Sequence, residues 1–157
     1  MNDIEALKDR QAVIDAIVAL FIAVDERDWK TARACLADRV HFDVTSLGAP
    51  EAAEMTAEEI IAAWRTGLAG IEAVHHQAGN FRVLVSGDTA ECFCYGTAHH
   101  YRRVQSGRNL RLFVGSYDYR LARDGDAWRI TQFKFNAKFV EGNLELEKEP
   151  LAPAQQP

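Results

Sequence analysis

The sequence predicts an α+β domain in which helices cover one face of a strongly curved antiparallel sheet. Apolar residues recur at helical spacing in the first part of the chain. Residues 74 to 140 instead contain long segments enriched in aromatic and β-branched residues, which are typical of strands. The 157 residues suit one domain, which we place at residues 1–142, followed by a polar tail at residues 143–157.

The helical part divides into three predicted helices. The first runs from about residue 4 to residue 24, on a stripe formed by Leu7, Ile14, Ile17, Val18, Phe21 and Ile22. A break at DERD follows, and Asp28 is placed to N-cap a second helix, WKTARACLA. Thr56 and Glu59 form a capping box before the third helix, AEEIIAAWRTGLAG, which ends in glycine.

The remaining elements are predicted to build the sheet. VHFDV is typical of a short strand, and we interpret SLGAPEAAEM as a loop at the mouth of a cavity. Four long strands are expected at about 74–86, 89–103, 109–122 and 127–140, with tight turns at SGDT and RDGD. From about Pro150 onward we expect loose chain. A curved sheet around a long helix leaves a conical space, which is the default place for a small-molecule site.

Composition and charge argue against several classes of function. A net charge of −5 and scattered basic residues disfavour nucleic-acid binding. No segment approaches the ~20 apolar residues of a membrane span. The acidic start MNDIEALKDR lacks the pattern of a secretory signal, so we expect a cytoplasmic protein. Buried free thiols are the expected state of the three cysteines, Cys35, Cys92 and Cys94.

Two adjacent histidines in EAVHHQAGN are candidates either for a catalytic role or for a structural role in packing. Side chains alternate between the two faces of a strand, so His75 and His76 cannot both face the same interior space. A strand that begins before residue 75 would therefore direct one histidine inward and leave the other at the surface.

Three stretches make the chain resemble the SnoaL-like branch of the NTF2-like superfamily, which includes scytalone dehydratase and hexachlorocyclohexane dehydrochlorinase. These stretches are IVALFIAVDERDWKTARACLADRVHFD, HHQAGNFRVLVSGDTAECFCYGTAHHYR and GSYDYRLARDGDAWRI, and together they cover roughly residues 8 to 135. The resemblance implies an NTF2-like cone. Because this fold supports isomerases, dehydratases and pure binding modules, the fold alone settles no function.

The resemblance also implies candidate site residues. The dehydratase-type enzymes pair an aspartate at the end of the first helix with a histidine in a H-x-x-x-N pattern, and here these positions are Asp25, His76 and Asn80. A second histidine on the next strand corresponds to His100, although His99 is one register step away. The resemblance therefore predicts His76 as the inward histidine.

Two departures from the dehydratase make the same substrate improbable. The tyrosines that the dehydratase carries near its aspartate and on its following strand are Val24 and Val44 here. Tyr95 or Tyr117 could replace those phenols, depending on the face that each occupies. Two indoles, Trp64 and Trp29, are candidate walls for a flat substrate, with core packing as the alternative for both.

The chemistry expected from these residues is proton abstraction. An aspartate that accepts from one nitrogen of an imidazole fixes its tautomer and raises the basicity of the other nitrogen. We therefore predict a lyase or isomerase without a cofactor, in which Asp25 and His76 are catalytic and the substrate is small and cyclic or aromatic. His100 would supply a proton to the leaving group or hold an oxygen.

A homo-oligomer, either a dimer or a trimer, is expected because apolar residues lie on the outer face of the sheet.

Other interpretations remain open at this point. The domain could bind a small molecule without catalysis, or serve as an accessory subunit like the small β subunits of ring-hydroxylating dioxygenases. Asp25, His76 and His100 also match the ligand count of a two-histidine, one-carboxylate iron site. The basic group at the hairpin between the second and third long strands is interpreted as a solvated tip, formed by Arg102, Arg103, Arg108 and Arg111.

Overall fold

A computed structural model describes residues 3–154 as three α-helices and a six-stranded mixed sheet. The helices are α1 (Asp3–Asp25), α2 (Trp29–Cys35) and α3 (Ala57–Gly67). The strands are β1 (Leu36–Asp43), β2 (Ala53–Thr56), β3 (Ala73–Ser86), β4 (Thr89–Tyr101), β5 (Leu110–Asp124) and β6 (Ala127–Gly142). The ends of the predicted domain and tail, residues 1–2 and 155–157, lie outside the described residues.

The sheet has the strand order β2-β1-β6-β5-β4-β3. The four long strands form antiparallel hairpins close to the predicted bounds. The sheet differs from the predicted antiparallel sheet at its β2–β1 end, where β1 runs parallel to β6 and β2 pairs with β1. This makes the sheet mixed, and part of the predicted mouth loop is the short strand β2.

The long helix α1 supplies the core between the sheet and the other helices. Its buried residues follow the 3.6-residue period, with Val13, Ile17, Leu20, Phe21 and Val24 each at most 7% exposed. Two members of the predicted stripe instead face outward, since Leu7 is 65% exposed and Ile22 is 58% exposed. The predicted face of the helix is therefore rotated toward Val13 and Leu20.

The turn after α1 fixes where α1 ends. Arg27 adopts a left-handed backbone with φ 57°, and its guanidinium donates to the carbonyl of Ile71 at 2.5 Å. Asp28 then N-caps α2 by accepting from the backbone N–H of Thr31 at 3.0 Å, as predicted. The capping box of Thr56 and Glu59 at the start of α3 is confirmed as well. Because Asp28 caps α2, the carboxylate of Asp25 is available for other contacts.

The chain beyond β6 packs against the β4–β5 connection rather than extending into solvent. We call residues 143–154 the C-terminal segment. Leu146 is completely buried, and its carbonyl accepts from Arg102 at 2.7 Å. Leu151 forms a β-bridge with Val104, and the N–H of Ala152 donates to the carbonyl of Arg103 at 3.1 Å. The expectation of loose chain from Pro150 onward is thus wrong as far as Ala152.

None of the helices within residues 3–154 combines the length and the apolar character required to cross a membrane.

Candidate active site

A cavity of about 260 Å³ lies between the helices and the inner face of the sheet. Its lining is mainly aliphatic and aromatic, and includes Leu20, Phe21, Val24, Phe42, Val44, Leu47, Trp64, Phe113, Phe133 and Phe135. Leu47 comes from the predicted mouth loop. The polar side chains in the lining are few: His76, His100 and the phenol of Tyr117. Among the described residues that line this cavity, none carries a formal charge. Such a site favours a small uncharged ligand.

Asp25 and His76 meet at the wall of the cavity. The Asp25 Oδ1 to His76 Nδ1 distance is 2.6 Å, and Asp25 Oδ2 accepts from the His76 backbone N–H at 2.8 Å. Both side chains are largely buried, at 13% and 14% exposure. An ionised carboxylate only accepts, so Nδ1 of His76 donates, and in the neutral imidazole the lone pair is then on Nε2. The carboxylate thereby fixes both the tautomer and the position of the imidazole.

Local structure explains why these two residues meet. Asp25 is the last residue of α1, and His76 is the fourth residue of β3, against which α1 packs. The ring of Phe21, one helical turn before Asp25, stacks on the His76 ring with centroids 5.0 Å apart. His75 is exposed on the outer face, so the strand does begin early enough to divide the two histidines as expected.

His100 lines the same cavity from β4. Its Nδ1 lies 3.0 Å from Nη2 of Arg111. Burial, followed by the charge of Arg111, lowers the pKa of His100 to about 4. His100 is therefore neutral near pH 7. The adjacent His99 belongs to the outer face, where its ring lies 6.2 Å from the ring of His75. The open choice between His99 and His100 is resolved in favour of His100.

Tyr117 and Trp64 also line the cavity. Burial raises the pKa of the Tyr117 phenol above its ordinary value, so its hydroxyl keeps its proton and can donate to a ligand. Trp64 packs edge-on against the ring of Phe42, with centroids 6.1 Å apart. A β-carbon at Gly96 would lie 2.2 Å from the Tyr117 ring, so the ring occupies space that the missing side chain leaves on β4.

Three predicted substrate-binding residues lie away from the cavity lining. Tyr95 is 44% exposed because its position on β4 has the opposite parity to the inward-facing residues, and the ammonium of Lys138 lies 4.4 Å from its ring centre. Asn80 is exposed at a bulge of β3, with φ 56°. Trp29 packs at the start of α2 below the guanidinium of Arg65. The structure therefore does not bring these three residues to the cavity beside Asp25 and His76.

The residues considered for an iron site are arranged differently from a metal centre. Asp25 uses both carboxylate oxygens on His76. Within residues 3–154, no group of three histidine, cysteine, aspartate or glutamate side chains is arranged to hold a metal ion. Cys35, Cys92 and Cys94 are buried free thiols, as predicted, and burial raises the pKa of each.

A family model for the SnoaL-like domain matches residues 5–134 of the sequence. This chain belongs to the SnoaL-like family. None of the functionally curated proteins that were compared matches the sequence significantly. The family membership agrees with the resemblance carried by the sequence, and the NTF2-like cone is the fold observed.

Solved structures share this SnoaL-like fold over nearly the whole chain. The Kfla4162 protein from Kribbella flavida is 24% identical with a TM-score of 0.85, over 91% of this chain and 99% of that one. A putative scytalone dehydratase from Novosphingobium aromaticivorans is 11% identical with a TM-score of 0.77, over 97% of both chains. A type 2 hexachlorocyclohexane dehydrochlorinase is 16% identical with a TM-score of 0.75, over 99% of this chain and all of that one. At these identities the likeness establishes the fold.

One polar group beside the site of this SnoaL-like domain lies outside the predicted set of site residues. The sequence predicts Arg111 as part of a solvated tip, but its side chain is only 12% exposed and contacts His100. The signal was the hairpin register, because Arg111 is the cross-strand partner of His100. Arg102 is also tied down, by the carbonyls of Leu146 and Glu149.

Proposed function

We propose that the protein is a cofactor-independent lyase or isomerase that removes a proton from a small, uncharged cyclic or aromatic substrate. The observation that supports this most is the pairing of Asp25 with His76 at the wall of an apolar cavity. The dehydratase and dehydrochlorinase among the proteins of similar fold support a lyase-type role at a coarser level. Asp25 and His76 are the proposed catalytic residues.

In this proposal His76 is the general base. Its Nε2 takes a proton from a carbon next to an electron-withdrawing group, and the electron pair of the broken C–H bond forms a new double bond. In an elimination, hydroxide or halide departs with its own bonding pair, and the imidazolium of His76 can return the proton to a departing hydroxide. In an isomerisation, the imidazolium returns the proton to a different carbon. The carboxylate of Asp25 stabilises the imidazolium in both cases.

His100 and Tyr117 complete the proposed site as hydrogen-bond donors. Both side chains are neutral near pH 7 and both line the cavity. A donor at the carbonyl oxygen or leaving group stabilises the negative charge that develops there in the transition state. Trp64 and the phenylalanine rings would hold the ring of the substrate. We favour an uncharged substrate because the lining has no cation to compensate the desolvation of an anion.

Two features favour catalysis over the alternative of a pure binding module. A cone filled by its own side chains, or an Asp25 too far from His76 for a hydrogen bond, would have supported binding alone. Instead a cavity is present and the two side chains are 2.6 Å apart. We further propose that the protein works in the cytoplasm as a homo-oligomer that covers the outer face of its sheet.

The proposal is tested by turnover of defined probes. Cyclic β-hydroxy ketones, polychlorinated cyclohexanes and carboxylated analogues of both would be screened, with absorbance of the conjugated product or chloride release as the readout. We expect turnover of uncharged probes. The His76→Gln and Asp25→Asn variants should lower kcat by about 100-fold or more, within the roughly 10²–10⁴-fold range of general-base catalysis.

The chain offers matched controls next to both residues. His75→Gln changes the outward histidine, and Asp28→Asn changes the aspartate that caps α2, so each should keep kcat within about threefold of wild type. Full turnover in both His76→Gln and Asp25→Asn would refute the proposed mechanism.

A further inference from the structure

We propose that Arg111, clamped by Glu147 of the C-terminal segment, is a positioning residue that keeps His100 a neutral hydrogen-bond donor toward the cavity. This inference deepens the proposed function and rests on it, since it assigns to the C-terminal segment a role in the same site. Arg111 acts through His100.

The geometry connects the C-terminal segment to the cavity in two steps. Arg111 and Glu147 form a two-pronged ion pair, in which Nη1 donates to Oε2 at 2.8 Å and Nη2 donates to Oε1. The same Nη2 lies 3.0 Å from His100 Nδ1. Since Nη2 carries two hydrogens, it can serve both acceptors at once.

Several contacts hold the guanidinium in this place. Arg111 lies opposite His100 in the β4–β5 pair, and its side chain is only 12% exposed. The guanidinium carbon lies 5.4 Å from the centre of the Phe113 ring, and the His100 ring is 5.0 Å from the same ring. Glu147 is anchored next to Leu146, which is completely buried. The pairing is therefore part of the packed structure.

The direction of the hydrogen bond determines the tautomer of His100. A guanidinium has donors and no acceptor, so Nδ1 of His100 must present its lone pair. A neutral imidazole has one ring proton, which is then on Nε2. The charge of Arg111 also opposes a second proton on the ring. His100 thus presents an N–H at the cavity and does not compete with His76 as a base.

A neutral His100 also makes it easier for His76, the proposed base, to take up a proton. The titratable or charged groups that face His100 are Arg111 on β5, His76 on β3, Asp25 on α1 and Glu147. A positive charge on His100 would oppose the positive charge that His76 gains when it takes a proton. Without Arg111, the nearby Glu147 carboxylate would instead favour such a charge on His100.

The test is a nitrogen NMR measurement on histidine-labelled protein, without substrate, between pH 5.5 and 8. The His100 signals are assigned by their loss in His100→Gln. In wild type we expect an unprotonated Nδ1 and a protonated Nε2 over the whole range. In Arg111→Leu we expect His100 to take up a second proton within this range. Glu147→Gln keeps the size of the side chain but weakens the hold on Arg111. We therefore expect the titration of His100 to move to higher pH in this variant as well.

Control variants separate positioning from a general loss of structure. Arg108→Leu removes an exposed arginine of the same connection that donates to the Gly142 carbonyl, and should leave the His100 signals unchanged. Arg111→Lys keeps a cationic donor and should restore a neutral His100. A protonated Nδ1 in wild type, or unchanged His100 signals in both Arg111→Leu and Glu147→Gln, would overturn the inference.

Kinetics add a second readout on any probe that is turned over. Arg111→Leu should lower kcat by about tenfold to 100-fold at pH 6.5, which is at or below the roughly 10²–10³-fold loss for deleting a transition-state donor, while KM changes less than threefold. Arg111→Lys should recover most of that loss. A higher KM with unchanged kcat would contradict a role in donor positioning. Absence of turnover in wild type would refute the proposed function, while the NMR result would still decide the state of His100.

Discussion

At the scale of single residues, two aspartates three positions apart have separate tasks. Asp28 accepts from Thr31 and starts α2, whereas Asp25 accepts from His76 across 51 positions of sequence. Arg27 makes this division possible, because its left-handed backbone turns the chain and its guanidinium ties the turn to Ile71. One short turn thus starts a helix and supplies a carboxylate to the cavity.

The depressed pKa of His100 predicts a loss of stability in acid. The pKa is about 4 in the folded protein and near 6.5 when the ring is free, so the unfolded chain binds this proton first as the pH falls. Above pH 6.5 the ring is neutral in both states and has no effect. Near pH 4 the folded state should have lost about 3 kcal/mol through this group, at about 1.4 kcal/mol for each pH unit between the two pKa values.

Urea unfolding of wild type and His100→Gln between pH 4 and pH 8 measures this effect. The two proteins share their other titratable groups, so the difference between their free energies of unfolding isolates His100. We expect wild type to weaken relative to the variant as the pH falls below 6.5. Parallel pH profiles would show that burial of His100 carries no such cost.

The predicted placement of single residues agrees with the structure where a local pattern coincides with the alternation of a strand. Asp25, His76 and His100 follow from the resemblance together with strand parity, and the structure brings all three to one cavity wall. Tyr95 lies away from the cavity for the same physical reason, since its parity on β4 directs it outward. Arg111 was missed because its environment depends on Glu147, 36 positions away.

At the scale of secondary-structure elements, the least expected feature is the C-terminal segment. Its polar, proline-containing composition indicates loose chain, but Leu146 is buried and Arg102 donates to two of its carbonyls. A few specific anchors therefore outweigh composition here. The segment contributes to the proposed site through Glu147.

Leu146 and Leu144 provide a matched test of this anchoring. Leu146 is completely buried and Leu144 is 59% exposed. Leu146→Ala should lower the free energy of unfolding by about 2–5 kcal/mol, the usual cost of removing a buried leucine side chain. Leu144→Ala should change it by less than about 0.5 kcal/mol. Equal and small effects in a urea titration would indicate that the segment is not anchored in solution.

Elements with local signals were predicted, and those that depend on distant pairing were not. The Thr56 capping box fixed the start of α3, and the SGDT and RDGD turns fixed two hairpins. The parallel pairing of β1 with β6 joins segments about 90 residues apart, and β2 has only four residues. Neither feature leaves a periodic pattern in the sequence.

At the scale of the whole molecule, the two faces of the sheet differ in what covers them. Helices and the cavity lie on the inner face, while the outer face presents Leu84 at 72% exposure, Phe139 at 49% and Tyr95 at 44%. Exposed apolar residues of this size on one sheet are typical of contact surfaces. The proposed homo-oligomer would bury them.

Light scattering after size-exclusion chromatography tests the homo-oligomer. We expect wild type to elute as a dimer or trimer of the 17.6 kDa chain. The double change Leu84→Lys and Phe139→Lys should shift it toward monomer, because buried lysines without partners weaken an interface. Ile4→Lys, which changes an apolar residue on α1 that is 64% exposed, serves as the control. A monomeric wild type would refute the prediction.

Gly96 offers an indirect way to change the shape of the cavity. The ring of Tyr117 stands where a β-carbon at position 96 would be, so even a methyl group there must push the ring aside. A library of variants aimed at the aromatic rings around the ligand would pass over this glycine. Substitutions at position 96 would nonetheless change the size of the cavity by moving the Tyr117 ring. Asp25, His76 and His100 would be unchanged in sequence.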